Sequence, residues 1–204
     1  MLTRCPRPLG VSAGALAVLL LAGCGPSKVS QCNKLAEVVN QTQSFMSDFE
    51  TEIQSFSQNA SQVKNLNDIK SAASQYTTAV DKVVTNLDGL GGDLKSTQLK
   101  DETLVKFRDD YSGVVDGFKT SLQQASDAMD LVVTVPSEAE LPARIEESQK
   151  KTMEAVKSIE QLSQTESQLI SNVNSYCGAA TPTPTPTVSP APGSPAPSTP
   201  TGGQ

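Results

Sequence analysis

The side chains of this 204-residue sequence that could do chemistry are chiefly four cysteines and 22 carboxylates. The sequence contains no histidine. Histidine is the commonest general base and metal ligand. Its absence excludes Ser-His-Asp and Cys-His nucleophilic sites, imidazole zinc sites and pH switches built on imidazole. Ferritin-like di-iron sites need Glu-x-x-His pairs and are excluded as well. Catalysis would therefore have to depend on carboxylates or lysines alone.

The carboxylates do not form a pattern typical of a catalytic or metal site. Adjacent residues of a helix point about 100° apart, which favours solvated faces over catalytic dyads for three pairs: Asp101-Glu102, Asp109-Asp110 and Glu146-Glu147. Asp127 and Asp130 share a helix face, but no Asp-x-Asp-x-Asp-Gly calcium loop surrounds them. Gly-rich phosphate loops, nucleophile elbows and dinucleotide fingerprints are also missing. We therefore predict no enzyme activity, no metal and no cofactor.

Composition and charge limit the possible partners. The formal net charge is −6, and aromatic residues make up only 4% of the chain. Nucleic-acid binding needs a basic stripe, whereas the lysines and arginines here are scattered singly among more numerous carboxylates. The low aromatic content also argues against stacking platforms for bases or sugars. Nucleic acid is therefore not an expected partner.

The N-terminus has the composition of an export signal. A basic opening with Arg4 and Arg7 precedes an uncharged run from Leu9 to Ala22, which is too short to span a bilayer comfortably. The run closes on Leu21-Ala22-Gly23-Cys24, which resembles the lipobox of bacterial lipoproteins. The resemblance implies cleavage after Gly23, a diacylglyceryl thioether on Cys24, and further acylation, with palmitate for example, of the new N-terminus. A buried helix or an uncleaved anchor is the alternative interpretation.

Processing at Gly23 would leave 181 residues with a net charge of −8. So acidic a chain gains nothing from anionic headgroups, and we expect the lipid itself to anchor the protein. The predicted location is extracytoplasmic, on the periplasmic side or the cell surface, in a compartment that permits disulfides.

Four apolar series at helical spacing predict four helices, over residues 35–56, 66–90, 104–132 and 141–176. The second series alternates steps of three and four without a miss, as in a coiled-coil seam. We predict the first turn within residues 57–65 and the second at Gly91-Gly92-Asp93. The third lies between Pro136 and Pro142, where Ser137 and Glu140 predict a capping box.

The cysteines that remain after acylation of Cys24 are Cys32 and Cys177, at the two ends of the helical region. If the first two series formed one helix, the domain would have three helices, with its cysteines at opposite ends. An up-down-up-down arrangement of four helices instead places both at one end. We therefore predict an all-α, antiparallel four-helix bundle over residues 32–178, closed by a structural Cys32–Cys177 disulfide. Intermolecular, mixed or redox-active pairing is the alternative.

Two further segments complete the predicted organisation. Residues 24–31 form a short lipidated tether after the signal peptide of residues 1–23. Residues 179–204 contain 8 Pro, 6 Thr and no charge, a composition that cannot bury a core. We predict a disordered, extended tail that reaches about 80 Å as polyproline II. It would serve as a spacer, carry sugars or dock on a groove that recognises Pro-rich segments.

The glycines of the third helix, Gly113 and Gly117, are predicted to lie beside its apolar seam, where they would weaken the helix locally or leave its flank bare for a partner. The predicted function is a non-catalytic, membrane-anchored envelope protein that scaffolds or binds another macromolecule through its bundle or tail. The alternative is a bundle that binds a small solute near the polar interruptions Thr42, Thr152 and Glu166. An enzyme ranks last.

Overall fold

In the computed structural model, the residues described are 26–178, and they form five α-helices with no strand among them. The helices are α1 (Lys28–Val39), α2 (Gln41–Ala60), α3 (Leu66–Ser96), α4 (Glu102–Val133) and α5 (Leu141–Cys177). The signal peptide of residues 1–23, the lipobox with Gly23 and Cys24, and the tail of residues 179–204 lie outside this range. Across residues 26–178, no helix combines the length and apolarity needed to cross a membrane.

The helices α1 and α2 form the first arm of the bundle. They are separated only by Asn40, whose φ of −67° and ψ of −14° stay in the right-handed helical region. The connections from α2 to α3, α3 to α4 and α4 to α5 are short, so consecutive arms run antiparallel. The predicted all-α bundle of four arms is confirmed.

The arms of the bundle do not all pack equally closely. The backbone of α4 lies along both α3 and α5, and α2 lies along α3. The short α1 approaches α3, α4 and α5. Between α2 and α5, as far as the structure describes them, no Cα atoms come within 8 Å of each other. The arms α2 and α5 are thus the least closely packed neighbours, and α1 contacts both of them at the end that holds Cys32 and Cys177.

Local sequence signals explain where α3, α4 and α5 begin and end. The Asn65 side chain caps α3 by accepting from the Asp68 N–H at 3.0 Å, and Asp101 caps α4 by accepting from the Leu104 N–H at 3.1 Å. The last helix ends at Gly178, whose φ of +71° is left-handed and favours glycine. The end of α2 at Ala60 and the start of α3 at Leu66 confirm the turn predicted within residues 57–65.

The turn predicted at Gly91-Gly92-Asp93 is wrong, because α3 continues through all three residues to Ser96. Leu90 and Leu94 are both buried, and Gly91 lies in the buried face between them. Burial of this leucine seam outweighs the helix-breaking tendency of glycine, about 1 kcal/mol for each residue. The connection to α4 comes later, between Ser96 and Glu102.

The predicted capping box also does not form. The Ser137 Oγ reaches the Glu140 carboxylate at 3.5 Å, but α5 begins only at Leu141, and its first turn has no side-chain cap. Pro142 in that first turn has no N–H to satisfy, which suits the start of a helix.

The two halves of the bundle bury different side chains. The half nearer the disulfide, called here the disulfide half, is filled by large residues: Leu35, Phe45, Leu87, Leu90, Leu94, Leu104, Tyr111 and Leu169. The other half, called here the distal half, is filled mainly by small ones: Ala72, Ala73, Ala79, Ser121, Ala125, Ser126, Ala128, Ser148 and Ala155, with Val80, Val132 and Val135.

Candidate functional site

Three features carry the chemistry of the described residues: the disulfide end, a polar cluster between α2, α4 and α5, and a groove between α4 and α5. At the disulfide end, Cys32 near the start of α1 is bonded to Cys177, the last residue of α5. Their Cα atoms are 6.0 Å apart, and the bond closes a sequence separation of 145 residues. This pairing agrees with the one predicted from the parity of the helices.

A buried glutamine ties the same end together. Gln31 is 4% exposed, and its Nε2 donates to the Pro26 carbonyl at 3.0 Å. Its Oε1 accepts from the backbone N–H groups of Lys100 and Asp101, the latter at 2.9 Å. One side chain therefore joins the start of α1 to the turn between α3 and α4. Sequence reasoning missed this role because a single polar residue on a helix gives no signal of a tertiary partner.

Asp101 connects this network to α5. Besides capping α4, its carboxylate accepts from the Tyr176 hydroxyl at 2.9 Å, and the Lys28 Nζ lies 3.6 Å from the centroid of the Tyr176 ring. The pKa of Asp101 is lowered, chiefly by the hydrogen bond from the Leu104 N–H and further by Tyr176 and Lys28. The prediction that Asp101 belongs to a solvated face is therefore wrong, because it is half-buried and holds three elements together.

Other carboxylates do lie on solvated faces. Asp109 pairs with Arg108 and Asp110 with Lys106, each at 2.7 Å, and Glu147 pairs with Arg144 and Lys151. Asp127 and Asp130 are exposed. Within residues 26–178, no three Cys, Asp or Glu side chains are grouped closely enough to hold a metal ion.

The polar cluster consists of Thr42, Tyr111 and Glu166, one residue from each of α2, α4 and α5. The Tyr111 hydroxyl donates to the Glu166 Oε1 at 2.9 Å, and the Thr42 Oγ1 lies 3.4 Å from the same hydroxyl. Two of the three predicted polar interruptions, Thr42 and Glu166, are thus brought together through Tyr111. The third, Thr152, lies 14 residues before Glu166 on α5, about 21 Å along the helix.

Burial determines the electrostatics of this cluster. Tyr111 is only 4% exposed, and burial raises its pKa, an effect to which the nearby Glu166 charge adds. Burial also raises the pKa of Glu166, and the hydrogen bond from Tyr111 opposes that rise. Tyr111 therefore stays protonated and acts as a donor, not as a base. The three groups satisfy one another, and a single carboxylate beside a neutral phenol lacks the second acid or base of a catalytic pair.

The groove lies between α4 and α5 and has a volume of about 510 Å³. Hydroxyl and amide side chains line it, with one carboxylate, one leucine and one glycine: Thr120, Ser121, Gln124, Ser158, Gln161, Thr165, Asp116, Leu162 and Gly117. It is open to solvent. Sequence reasoning did not identify it as a site, although Gly117 was noted.

The two glycines of α4 differ in their surroundings. Gly113 is exposed, and a Cβ atom placed there would meet nothing within 4 Å. A Cβ atom at Gly117 would lie 2.7 Å from the Leu162 Cδ2 of α5. The prediction that both glycines lie beside the packing seam therefore holds for Gly113 and is wrong for Gly117, which lets Leu162 approach the α4 backbone.

Comparison of the chain with protein-family models, with curated proteins and with solved structures finds no match.

Proposed function

We propose that this protein is a bacterial lipoprotein, held on a membrane through Cys24, that acts without catalysis by binding another macromolecule through its bundle or tail. The lipid anchor is supported by Leu21-Ala22-Gly23-Cys24, which has the pattern of a lipobox at the end of a short apolar run. Two or three acyl chains on the mature N-terminus would anchor the chain stably.

The observation that carries the proposal is the short sequence separation between Cys24 and the disulfide end of the bundle. Only two residues, Gly25 and Pro26, lie between Cys24 and the Ser27 cap of α1, and Cys32 follows in the second turn of that helix. A lipid on Cys24 would therefore hold the disulfide end close to the membrane surface. The bundle would extend away from it, since the 37 residues of α5 span about 55 Å.

The described surface suits binding better than chemistry. The groove between α4 and α5 is open to solvent, and the half-buried Glu166 carboxylate, whose pKa is raised, already accepts a hydrogen bond from Tyr111. Long helical faces of this kind offer a partner an extended docking surface. We therefore place an enzyme last among the candidate functions.

The anchor is tested by the mass and the location of the mature protein. We expect its N-terminal peptide to begin at Cys24 and to carry a diacylglyceryl group with or without an additional acyl chain. We also expect a Cys24→Ala variant to leave the membrane fraction. A wild-type protein that keeps Arg4 and Arg7, or that stays soluble, would contradict the lipoprotein proposal.

Partner binding is tested by lysine-reactive crosslinking in intact cells, followed by mass spectrometry of the crosslinked peptides. We expect one partner to be captured repeatedly through the same face of the bundle, and to be lost when Cys24→Ala removes the protein from the membrane. Recovery of uncrosslinked monomer from the membrane in every replicate would contradict this function.

A second candidate function, binding of a small solute, is favoured by one observation. Thr42 and Glu166, both predicted ligand positions, meet at Tyr111 between α2 and α5, the two arms that pack least closely. A thermal-shift screen against metabolites tests this function, because a ligand that binds the folded state raises the midpoint. Stabilisation that disappears in Glu166→Gln but remains in Glu160→Gln, a matched change on the exposed face, would support it. A uniform lack of stabilisation would count against it.

A further inference from the structure

We propose that the groove between α4 and α5 binds the protein's own C-terminal segment, residues 179–204. This inference concerns an intramolecular contact and is independent of the lipid anchor. It depends on three properties of the groove: its charge, its free hydrogen-bonding groups and its distance from the end of α5.

The charge of the groove favours an uncharged occupant. Asp116 is its one charged lining residue. The neighbouring Lys119 turns instead to Asp88 on α3, with its Nζ 2.7 Å from the carboxylate. No cation lines the groove to attract an anion, and the lining contains no aromatic ring on which a sugar would stack. This lining suits a neutral peptide, and residues 179–204 carry no charge.

The hydrogen-bonding groups of the groove favour an occupant rich in acceptors. The hydroxyls of Thr120, Ser158 and Thr165 already donate to carbonyls of their own helices, at 2.9, 3.2 and 3.0 Å. The amide groups of Gln124 on α4 and Gln161 on α5 line opposite walls and are exposed. A glutamine amide supplies two N–H donors.

The C-terminal segment supplies the matching acceptors. Eight of its 26 residues are proline, which has a carbonyl but no N–H. A polyproline II segment makes no internal hydrogen bonds, so its carbonyls are free to accept from a neighbouring surface. The Gln124 and Gln161 amides would donate to those carbonyls from both sides of the groove.

The distance allows the contact. The groove residues of α5, from Ser158 to Thr165, lie about 20 to 30 Å before Gly178 along the helix axis. Gly178 leaves α5 with a φ of +71°, a left-handed conformation that turns the chain away from the helix direction. Twenty-six extended residues reach about 80 Å, so more than half of the segment would remain to lie in the groove. The covalent link also raises the local concentration, so weak contacts suffice.

The test uses the full chain purified as a monomer, with a photo-reactive benzophenone amino acid in place of Thr165 at the edge of the groove. We expect intramolecular crosslinks to peptides from residues 179–204. The matched position is Met153, also on α5 but outside the groove and 72% exposed. Crosslinks to the tail that are absent from Thr165, or equally frequent from Met153, would overturn the proposal.

A second pair of variants tests the chemistry without disturbing the core. Replacing Gln124 and Gln161 by alanine should lower the crosslinking yield from position 165 by about fivefold for each hydrogen bond lost. Gln149→Ala, a change of the same exposed residue type outside the groove, should leave the yield unchanged. An unchanged yield in the Gln124→Ala, Gln161→Ala variant would show that the groove amides do not hold the tail. Because the chain is purified, failure here leaves the tests of the lipid anchor and the partner unaffected.

Discussion

The disulfide half and the distal half of the bundle bury side chains of different size. In the disulfide half, leucine, phenylalanine and tyrosine fill the space between the arms, and Gln31, Asp101 and the disulfide join their ends. In the distal half, alanine and serine occupy most of the buried positions, and large side chains such as the paired Phe56 and Tyr76 are only half-buried.

This difference has energetic consequences. Each buried CH₂ group contributes about 0.8 kcal/mol, so the leucine-rich half gains far more free energy from burial than the alanine-rich half. Truncation should therefore be most damaging in the disulfide half, where it leaves cavities. Enlargement should be most damaging in the distal half, where atoms added to fully buried alanines would have to displace their neighbours.

The largest effect is expected from removing the covalent link of the disulfide half. The double variant Cys32→Ser, Cys177→Ser frees a loop closed over 145 residues. From the entropy of loop closure, we expect the free energy of unfolding to fall by about 4 to 5 kcal/mol, less any strain that the bond imposes on the folded state. Urea unfolding of both proteins measures this change. Equal unfolding midpoints would mean that the disulfide half is held by packing alone.

The second-largest effect is expected from truncating a buried leucine of the disulfide half. Leu104 near the start of α4 is fully buried, and Leu104→Ala should lower the free energy of unfolding by about 3 kcal/mol. Leu131→Ala is the matched control, because Leu131 lies on the same helix in the distal half and is only half-buried. Chemical denaturation should give a clearly smaller loss for Leu131→Ala. Equal losses would contradict the contrast between the two halves.

Enlarging a buried side chain should instead be most damaging in the distal half. Ala155 on α5 is fully buried in the distal half, and Ala155→Leu should destabilise the protein by about 2 kcal/mol because the added atoms force the helices apart. Ala143→Leu, an exposed position on the same helix, serves as the control and should be nearly neutral. Thermal unfolding compares the two. A neutral Ala155→Leu would mean that the distal half contains unfilled space.

The two half-buried carboxylates should respond to pH in opposite directions. The pKa of Glu166 is raised in the folded state, so stability is greatest below its ordinary value and falls as pH rises through the raised value. The pKa of Asp101 is lowered, so its contribution is present above the ordinary value and is lost as pH falls through the lowered one.

Unfolding measured across acidic to neutral pH checks this difference. Glu166→Gln should remove the loss of stability that accompanies rising pH, whereas Asp101→Asn should remove the loss that accompanies falling pH. Glu160→Gln, at an exposed position of α5, is the control for Glu166→Gln. A pH profile for Glu166→Gln that matches wild type would mean that the Glu166 carboxylate is not buried in solution, because burial is what raises its pKa.

The helices were predictable because their apolar residues recur over many turns. The coiled-coil series from Leu66 to Leu90 is buried or half-buried at every position, and the cysteine positions decided between three and four arms. Local signals were less reliable. Gly91 and Gly92 resemble a turn in sequence, but the leucines on either side continue to be buried, and this long-range packing determines the outcome.

The polar sites were only partly predictable. Thr42 and Glu166 interrupt apolar series, so the sequence identified them as candidates for a buried polar site. Tyr111 falls at an apolar position of the third series, residues 104–132, so the pattern indicates a core residue and not a polar one. The Tyr111 hydroxyl contacts Glu166 of α5 only because of the relative placement of α2, α4 and α5, which an apolar pattern does not predict. The same holds for Gln31, whose backbone partners at Lys100 and Asp101 are some 70 residues distant in sequence.

The smallest effect is expected from replacing the two glycines of α4, Gly113 and Gly117, by alanine. The sequence alone does not distinguish these two glycines. Replacing a helical glycine by alanine ordinarily stabilises a helix by about 1 kcal/mol, because alanine loses less backbone entropy on folding. Gly113→Ala should show this full gain, since its new Cβ meets no atom within 4 Å. At Gly117 the new Cβ would lie 2.7 Å from the Leu162 Cδ2, so that side chain must move and the gain is offset. We expect Gly117→Ala to be neutral or destabilising in thermal unfolding, and Gly117→Ala combined with Leu162→Ala, compared with Leu162→Ala alone, to recover the gain of alanine. A full gain from Gly117→Ala alone would mean that Leu162 is not packed against the α4 backbone in solution.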